Sequence, residues 1–225
     1  MAGPAGASTR GQIIGAGERL FARHGIDGVS LRQIGSDAGN ANNSAVQYHF
    51  GSKDALVRAI FEFRLGQLGA RRERLVEQLR PADLRGWIEC QVRSLLEQSE
   101  EADSSYLGFV AMLISYRRVD VFATIPEPFA TGARSYVERV RALLPDLPDP
   151  LRGHRITRVM ELVIHTAAHR ERAVGRGEPV PPLDLVCGDL VDGITGYLGA
   201  PVSAGVRTAL DAAGAAGASW PGATW

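Results

Sequence analysis

Apolar residues recur at helical spacing along nearly the whole chain, and no run of four or more residues alternates polar with apolar between turn signals, so the pattern predicts an all-α protein. A first helix is predicted over about 10–24, with Ile13, Ile14, Ala16, Leu20 and Phe21 on one face. Thr9 is its expected N-cap, with Gln12 three residues on, and Gly25 its stop. Three glycines, Gly11, Gly15 and Gly17, weaken it by up to about 1 kcal/mol each, so packing has to hold it. A short second helix opens at the capping box "SLRQ", with Ser30 as N-cap and Gln33 at the third position, and ends at Gly39. A third helix is predicted over about 43–50. After "GSKD", Ser52 caps a long helix over about 53–80, amphipathic through Leu56, Ile60, Phe61, Phe63, Leu68, Leu75 and Leu79. Further helices are predicted near 84–98, 105–117, 127–144, 152–175 and 183–199, separated by "QSEEADSS", "PDLPDP" and "GRGEPVPP".

The second and third helices, joined by "GNANN", have the lengths and the glycine-containing link of a helix-turn-helix, whose second helix lies in the DNA major groove. On a wheel of 100° per residue Val46 and Phe50 point one way, while Ser44, Gln47 and Tyr48 point roughly opposite. That outer set carries the chemistry of base and phosphate contact: Asn and Gln pair with adenine, Ser with several base edges, and a Tyr hydroxyl with phosphate. Asn42 and Asn43 stand at the end of the helix that reaches the bases. Lys53 is the only lysine in a chain that otherwise uses arginine for every side-chain positive charge. At the first turn of the following helix its ammonium joins free backbone N–H groups and the helix dipole, a suitable clamp for a phosphate.

Composition narrows the picture by exclusion. At 225 residues, 45% hydrophobic and 22% charged, the chain has ordinary globular composition. Its 25 basic and 25 acidic residues cancel, so any case for a polyanionic partner rests on local distribution. Residues 1–64 hold seven basic and five acidic side chains, a surplus of two. The start of the chain shows no charged stretch followed by an apolar one, and the longest apolar run, "LGFVAMLISY", is too short to span a bilayer, so a cytosolic chain without a membrane partner is expected. Cys90 and Cys187 are too few and too isolated for a disulfide framework and are expected as buried free thiols. No phosphate-binding GxxxxGK[ST], GxSxG or HExxH motif is present, and "GAGERL" lacks the third glycine of a dinucleotide-binding turn, so no enzyme and no cofactor is expected. Glu161, His165 and His169 share a helical face, but with no further ligand cluster beside them they are read as packing or interface residues, not a metal site.

The segments "AGERLFARHGIDGVSLRQIGSDAG" and "AVQYHFGSKDALVRAIF" resemble the DNA-binding domain of TetR-family (tetracycline-repressor-like) transcriptional regulators over about 9–62. Two departures stand out: Gln47 occupies a position where that family usually has Tyr, and the link "NANNS" is one residue longer than its common pattern. The resemblance implies a three-helix DNA-binding domain over 1–64 and a helical effector-binding and dimerisation domain over 65–202; the Gly/Ala-rich composition of the end of the chain predicts a flexible tail over 203–225. The resemblance carries phosphate contacts onto Ser30, Tyr48, His49 and Lys53, while Gln47 could equally read a base; with Arg32 and the residues Asn42, Asn43 and Ser44 at the start of the third helix, these are the expected DNA-contacting residues. The resemblance also implies a small-molecule effector, and an aromatic-rich set, Trp87, Tyr106, Phe109, Met112, Leu113, Tyr116 and Phe129, is expected to line a mostly hydrophobic cavity for it. The last two long helices, through Ile156, Val159, Met160, Val163 and Ile164 and through Leu185, Val186, Leu190, Ile194 and Leu198, are expected to make a two-fold four-helix homodimer interface. On this reading the protein is a repressor of a pseudo-palindromic double-stranded DNA operator; the competing reading is a DNA-silent helical protein that binds a small molecule or a partner chain.

Overall fold

The computed structural model describes residues 8–39, 44–116, 125, 127 and 129–215. Among them there are ten α-helices and no strand: α1 (Thr9–His24), α2 (Leu31–Asp37), α3 (Ser44–Phe50), α4 (Lys53–Leu79), α5 (Leu84–Gln98), α6 (Tyr106–Ser115), α7 (Phe129–Ala142), α8 (Asp149–Gly175), α9 (Leu183–Gly199) and α10 (Ala204–Ala215). Helix ends obey local chemistry. Ser30 closes the predicted capping box on Gln33, and Ser52 accepts the Ala55 N–H at 3.1 Å to start α4. The cap of α1 sits one residue earlier than expected, because the Ser8 hydroxyl rather than that of Thr9 accepts the Gly11 N–H, at 3.2 Å. The tail is helical further than expected: α10 occupies Ala204–Ala215, almost wholly exposed, while 216–225, with both tail tryptophans, lie outside the described residues.

One continuous apolar core runs from α1 to α9. In its N-terminal part Ile13, Ile14 and Phe21 of α1, Ile34 of α2, Val46 of α3 and Leu56 and Ile60 of α4 are fully buried. Gly17 explains why α1 tolerates so much glycine: a Cβ there would come within 3.1 Å of the Leu56 side chain, so the bare backbone lets α1 lie directly on α4. Helix α6 then lies between the two halves, against α1 on one side and α8 on the other. Phe21 of α1, Phe61 of α4 and Phe109 of α6 form a continuous aromatic contact, with ring centroids 5.8 to 6.0 Å apart.

Beneath that contact runs a buried polar network. Glu18 of α1, fully buried, accepts from Arg64 Nε at 2.6 Å and Nη2 at 2.8 Å across the α1–α4 contact. Burial works to lower the Arg64 pKa, but the hydrogen bond and charge of Glu18 outweigh it and leave it raised. Removing either partner of such a pair costs about 3–5 kcal/mol, because the other charge is stranded in the core. Glu171 of α8 caps the opposite end of the same network: it accepts from Ser104 Oγ at 2.8 Å and from the Leu107 and Gly108 N–H groups at 3.3 and 2.8 Å, the free donors at the start of α6. Burial pushes the Glu171 carboxyl above its ordinary 4.5 despite these donors. The Ser105 N–H donates to Glu18 Oε2 at 3.5 Å, so carboxylates from both sides seat the N-terminus of α6.

Candidate nucleic-acid interface

Val46 anchors α3. Its side chain is fully buried against α2, and Gly35 gives it room, since a Cβ on Gly35 would lie 3.2 Å from Val46 Cγ2. With Val46 turned inward and Phe50 half-buried, helical geometry turns Gln47, Tyr48 and His49 outward, and all three are exposed, Tyr48 at 86%. Tyr48 and His49 stack edge to face with centroids 5.3 Å apart, while the Arg10 guanidinium lies 5.5 Å over the Phe50 ring. The backbone leaves α3 through Gly51 at φ 72°, a left-handed turn that glycine takes without strain. Ser52 then starts α4 at once, so α3 and Lys53 are held in a fixed relation. Arg19 adds a tie between α1 and the end of α2, donating to Asp37 at 2.8 Å.

Ser30, Arg32, Gln47, Tyr48 and His49 lie on exposed parts of α2, its cap and α3, and Lys53 is half-buried beside them. Asn42 and Asn43 lie outside the described residues, and Ser44 is the first residue of α3. Two of these side chains have tasks within the protein: Ser30 in the capping box that the sequence predicts, and Lys53 in a contact that the sequence does not disclose. The Ser30 hydroxyl accepts the Gln33 N–H at 3.2 Å and donates to Gln33 Oε1 at 2.8 Å, so its donor is engaged before any phosphate arrives. Lys53 Nζ donates to the Ile26 carbonyl at 3.0 Å, which ties the first turn of α4 to the turn between α1 and α2. An ammonium has three N–H donors, so two remain for a phosphate. Glu18 and Arg64, counted with the charges of this region, are a buried pair and add nothing to its surface.

The aromatic set of the second half is dispersed. Tyr106, Phe109, Met112 and Leu113 are buried in the core beneath α1 and α4. Trp87 packs against Tyr136, whose hydroxyl donates to the Trp87 carbonyl, and carries Arg139 over its face. Phe129 lies 3.6 Å from where a Gly66 Cβ would stand, and Tyr116 is 74% exposed. An apolar cavity does exist between α5, α7 and α8, lined by Ile88, Val92, Tyr136, Val140, Val159 and Met160, but its 20 Å³ or so hold about one water. The expected interface face of α8 also shifts: Ile156, Val159, Val163 and Ile164 are buried within the chain itself, and Ile194 and Leu198 of α9 with them. What those two helices leave exposed is Leu162 on α8 and Leu185 and Tyr197 on α9. Glu161 is engaged by Arg158 at 2.8 Å, and both cysteines are buried and free.

Residues 13–60, the span from α1 to the first turns of α4, match the family model of the bacterial regulatory proteins of the tetR family. The match covers the three N-terminal helices and the start of α4, the helix-turn-helix region, and does not extend into the rest of the chain. The fold of the chain is similar to that of a transcriptional regulator from Rhodococcus sp. Rha1, with a TM-score of 0.53 and 22% identity over 85% of this chain and 96% of the other. It is similar at the same TM-score, with 13% identity, to the fatty acid degradation regulator FadR from Bacillus halodurans, over 88% of this chain and 98% of that one. A protein described as superantigen pfit shares the fold too, at a TM-score of 0.52 and 17% identity over 85% of this chain and 90% of that one. No curated protein matches the chain. At these identities the likeness establishes architecture alone, so function rests on the site.

Proposed function

We propose that the protein is a ligand-responsive transcriptional repressor that binds a pseudo-palindromic DNA operator as a homodimer. The observation that carries this reading is α3 itself: a helix locked by Val46 on its inner side that presents Gln47, Tyr48 and His49 to solvent, with the free donors of Lys53 a turn away. Gln47 supplies base recognition, Tyr48 and His49 reach phosphates or bases, and Lys53 and Arg32 hold the backbone. The dimer is formed by α8 and α9, with Leu162, Leu185 and Tyr197 at its centre, and sets two α3 helices one DNA turn, about 34 Å, apart. A small, mostly hydrophobic effector enters the apolar cavity between α5, α7 and α8 by widening it, and the network at the start of α6 carries that change to α1 and α4. The effector acts only as far as it binds one arrangement more tightly than the other. The chain works in the cytoplasm, and no described helix is long and apolar enough to cross a membrane. The test is titration of labelled DNA from the region upstream of its own gene against random DNA, followed by fluorescence anisotropy at several salt concentrations. Tighter, salt-dependent binding to the upstream DNA supports the proposal; a protein that takes up apolar small molecules with no affinity for either DNA would point to the DNA-silent alternative.

A further inference from the structure

Many arginines of this chain have acidic partners: Arg64, Arg71, Arg93 and Arg170 all form ion pairs. One opening breaks that pattern. Where the end of α1, the outer side of α6 and the C-terminal half of α8 meet there is a cavity of about 390 Å³, lined by Arg23, Gly25, Met112, Tyr116, His165 and Arg172 among others. Among the described residues no Asp or Glu lines it. The side chains of Arg23, His165 and Arg172 make no hydrogen bond or ion pair with another described residue. The nearest carboxylate in sequence, that of Glu171, is spent on Ser104 and on the Leu107 and Gly108 N–H groups. Two guanidiniums and an imidazole, all exposed, thus border one opening from two helices with no carboxylate among its described lining residues, an arrangement that suits an anion. Such a cavity lies in the volume range of small-ligand sites and is separate from the apolar cavity between α5, α7 and α8.

We propose that this opening binds a small organic anion, a carboxylate or phosphate monoester with a short apolar body. Arg23 and Arg172 take its oxygens through their planar N–H forks, His165 adds a third donor, and Met112 with Ala22 and Ala111 receives the apolar part. The bound anion bridges α1, which belongs to the helix-turn-helix domain, to α8, which belongs to the core. Gly25 lines the opening, and the carbonyl of the next residue, Ile26, is the one Lys53 holds. Occupancy therefore bears on the turn that positions α2 and the start of α4. That consequence rests on the DNA-binding reading; the binding itself does not.

Isothermal titration of the full chain with inorganic phosphate, hexanoate, hexyl phosphate and, as a cationic control, hexyltrimethylammonium tests the site. We expect saturable binding of one hexanoate or hexyl phosphate per chain, and whichever binds more tightly identifies the anionic group. The cation should not bind. Arg23→Gln and Arg172→Gln should each weaken binding by about tenfold or more, while Arg172→Lys, which keeps the charge, loses less. No saturable binding of any anion at millimolar concentration, or undiminished binding by the Arg23→Gln/Arg172→Gln double variant, overturns the site. Anisotropy of upstream DNA with and without the tighter probe separates the two claims. Probe binding by a protein with no affinity for DNA sinks the regulator reading and leaves the site standing, and DNA binding without probe binding does the reverse.

Discussion

Lys53 has a structural task besides the DNA contact proposed for it. Its ammonium already holds the Ile26 carbonyl, which leaves two of its three donors. Lys53→Ala should weaken binding to all DNA sequences about equally and lower the slope of log affinity against log salt by about one, read by anisotropy across a salt series. It should also lower the thermal midpoint, because a net hydrogen bond worth about 1 kcal/mol is lost. Gln47→Ala should behave differently, costing about 1–3 kcal/mol at particular base positions and little elsewhere, which binding to a set of singly substituted sites would display. Single residues were legible in the sequence where their partners are close along the chain. The Ser30 capping box is written in four consecutive letters, "SLRQ". The bond from Lys53 to Ile26 spans 27 residues and the Glu18–Arg64 pair 46, and neither leaves a periodic trace.

Helical periodicity did most at the scale of elements. It placed α5 and α9 to the residue and read the inward and outward sides of α3, because burial of Val46 forces Gln47 and Tyr48 outward. It could not say which neighbour an apolar side meets. The stripe Ile156, Val159, Val163 and Ile164 looked available for a partner chain and is consumed by the chain's own core, while the aromatic residues of α6 proved to be packing against Phe21 and Phe61. Nor does periodicity reveal that the start of α6 rests on Glu18 and Glu171. Glu171 makes that junction sensitive to pH. Because burial raises its folded-state pKa above the ordinary 4.5, the folded protein holds this proton more tightly than the unfolded chain. Its stabilising contribution is complete below that ordinary value and is lost as pH rises through the raised one. Glu171→Gln cannot titrate, so its urea midpoint should gain on that of the wild type over this interval, and a difference that stays flat with pH would contradict the assignment.

The whole molecule joins the N-terminal helices to a helical body through α4 and α6, with a continuous core and a buried ion pair at the joint. Two copies are needed to span a two-fold operator, and Leu185, 64% exposed on α9, is the residue on which that assembly should turn. Leu185→Glu should shift the protein from dimer to monomer in sedimentation velocity and weaken operator binding, with helical content unchanged by circular dichroism. The central claim, that α3 reads DNA, is met most directly by selecting bound sequences from a random duplex library and measuring the affinity of the recovered site. The account predicts a recovered motif with two inverted half-sites about one helical turn apart, bound with a steep salt dependence and lost in Gln47→Ala/Lys53→Ala. Recovery of no motif, together with an affinity for random DNA that the double substitution leaves untouched, would contradict it.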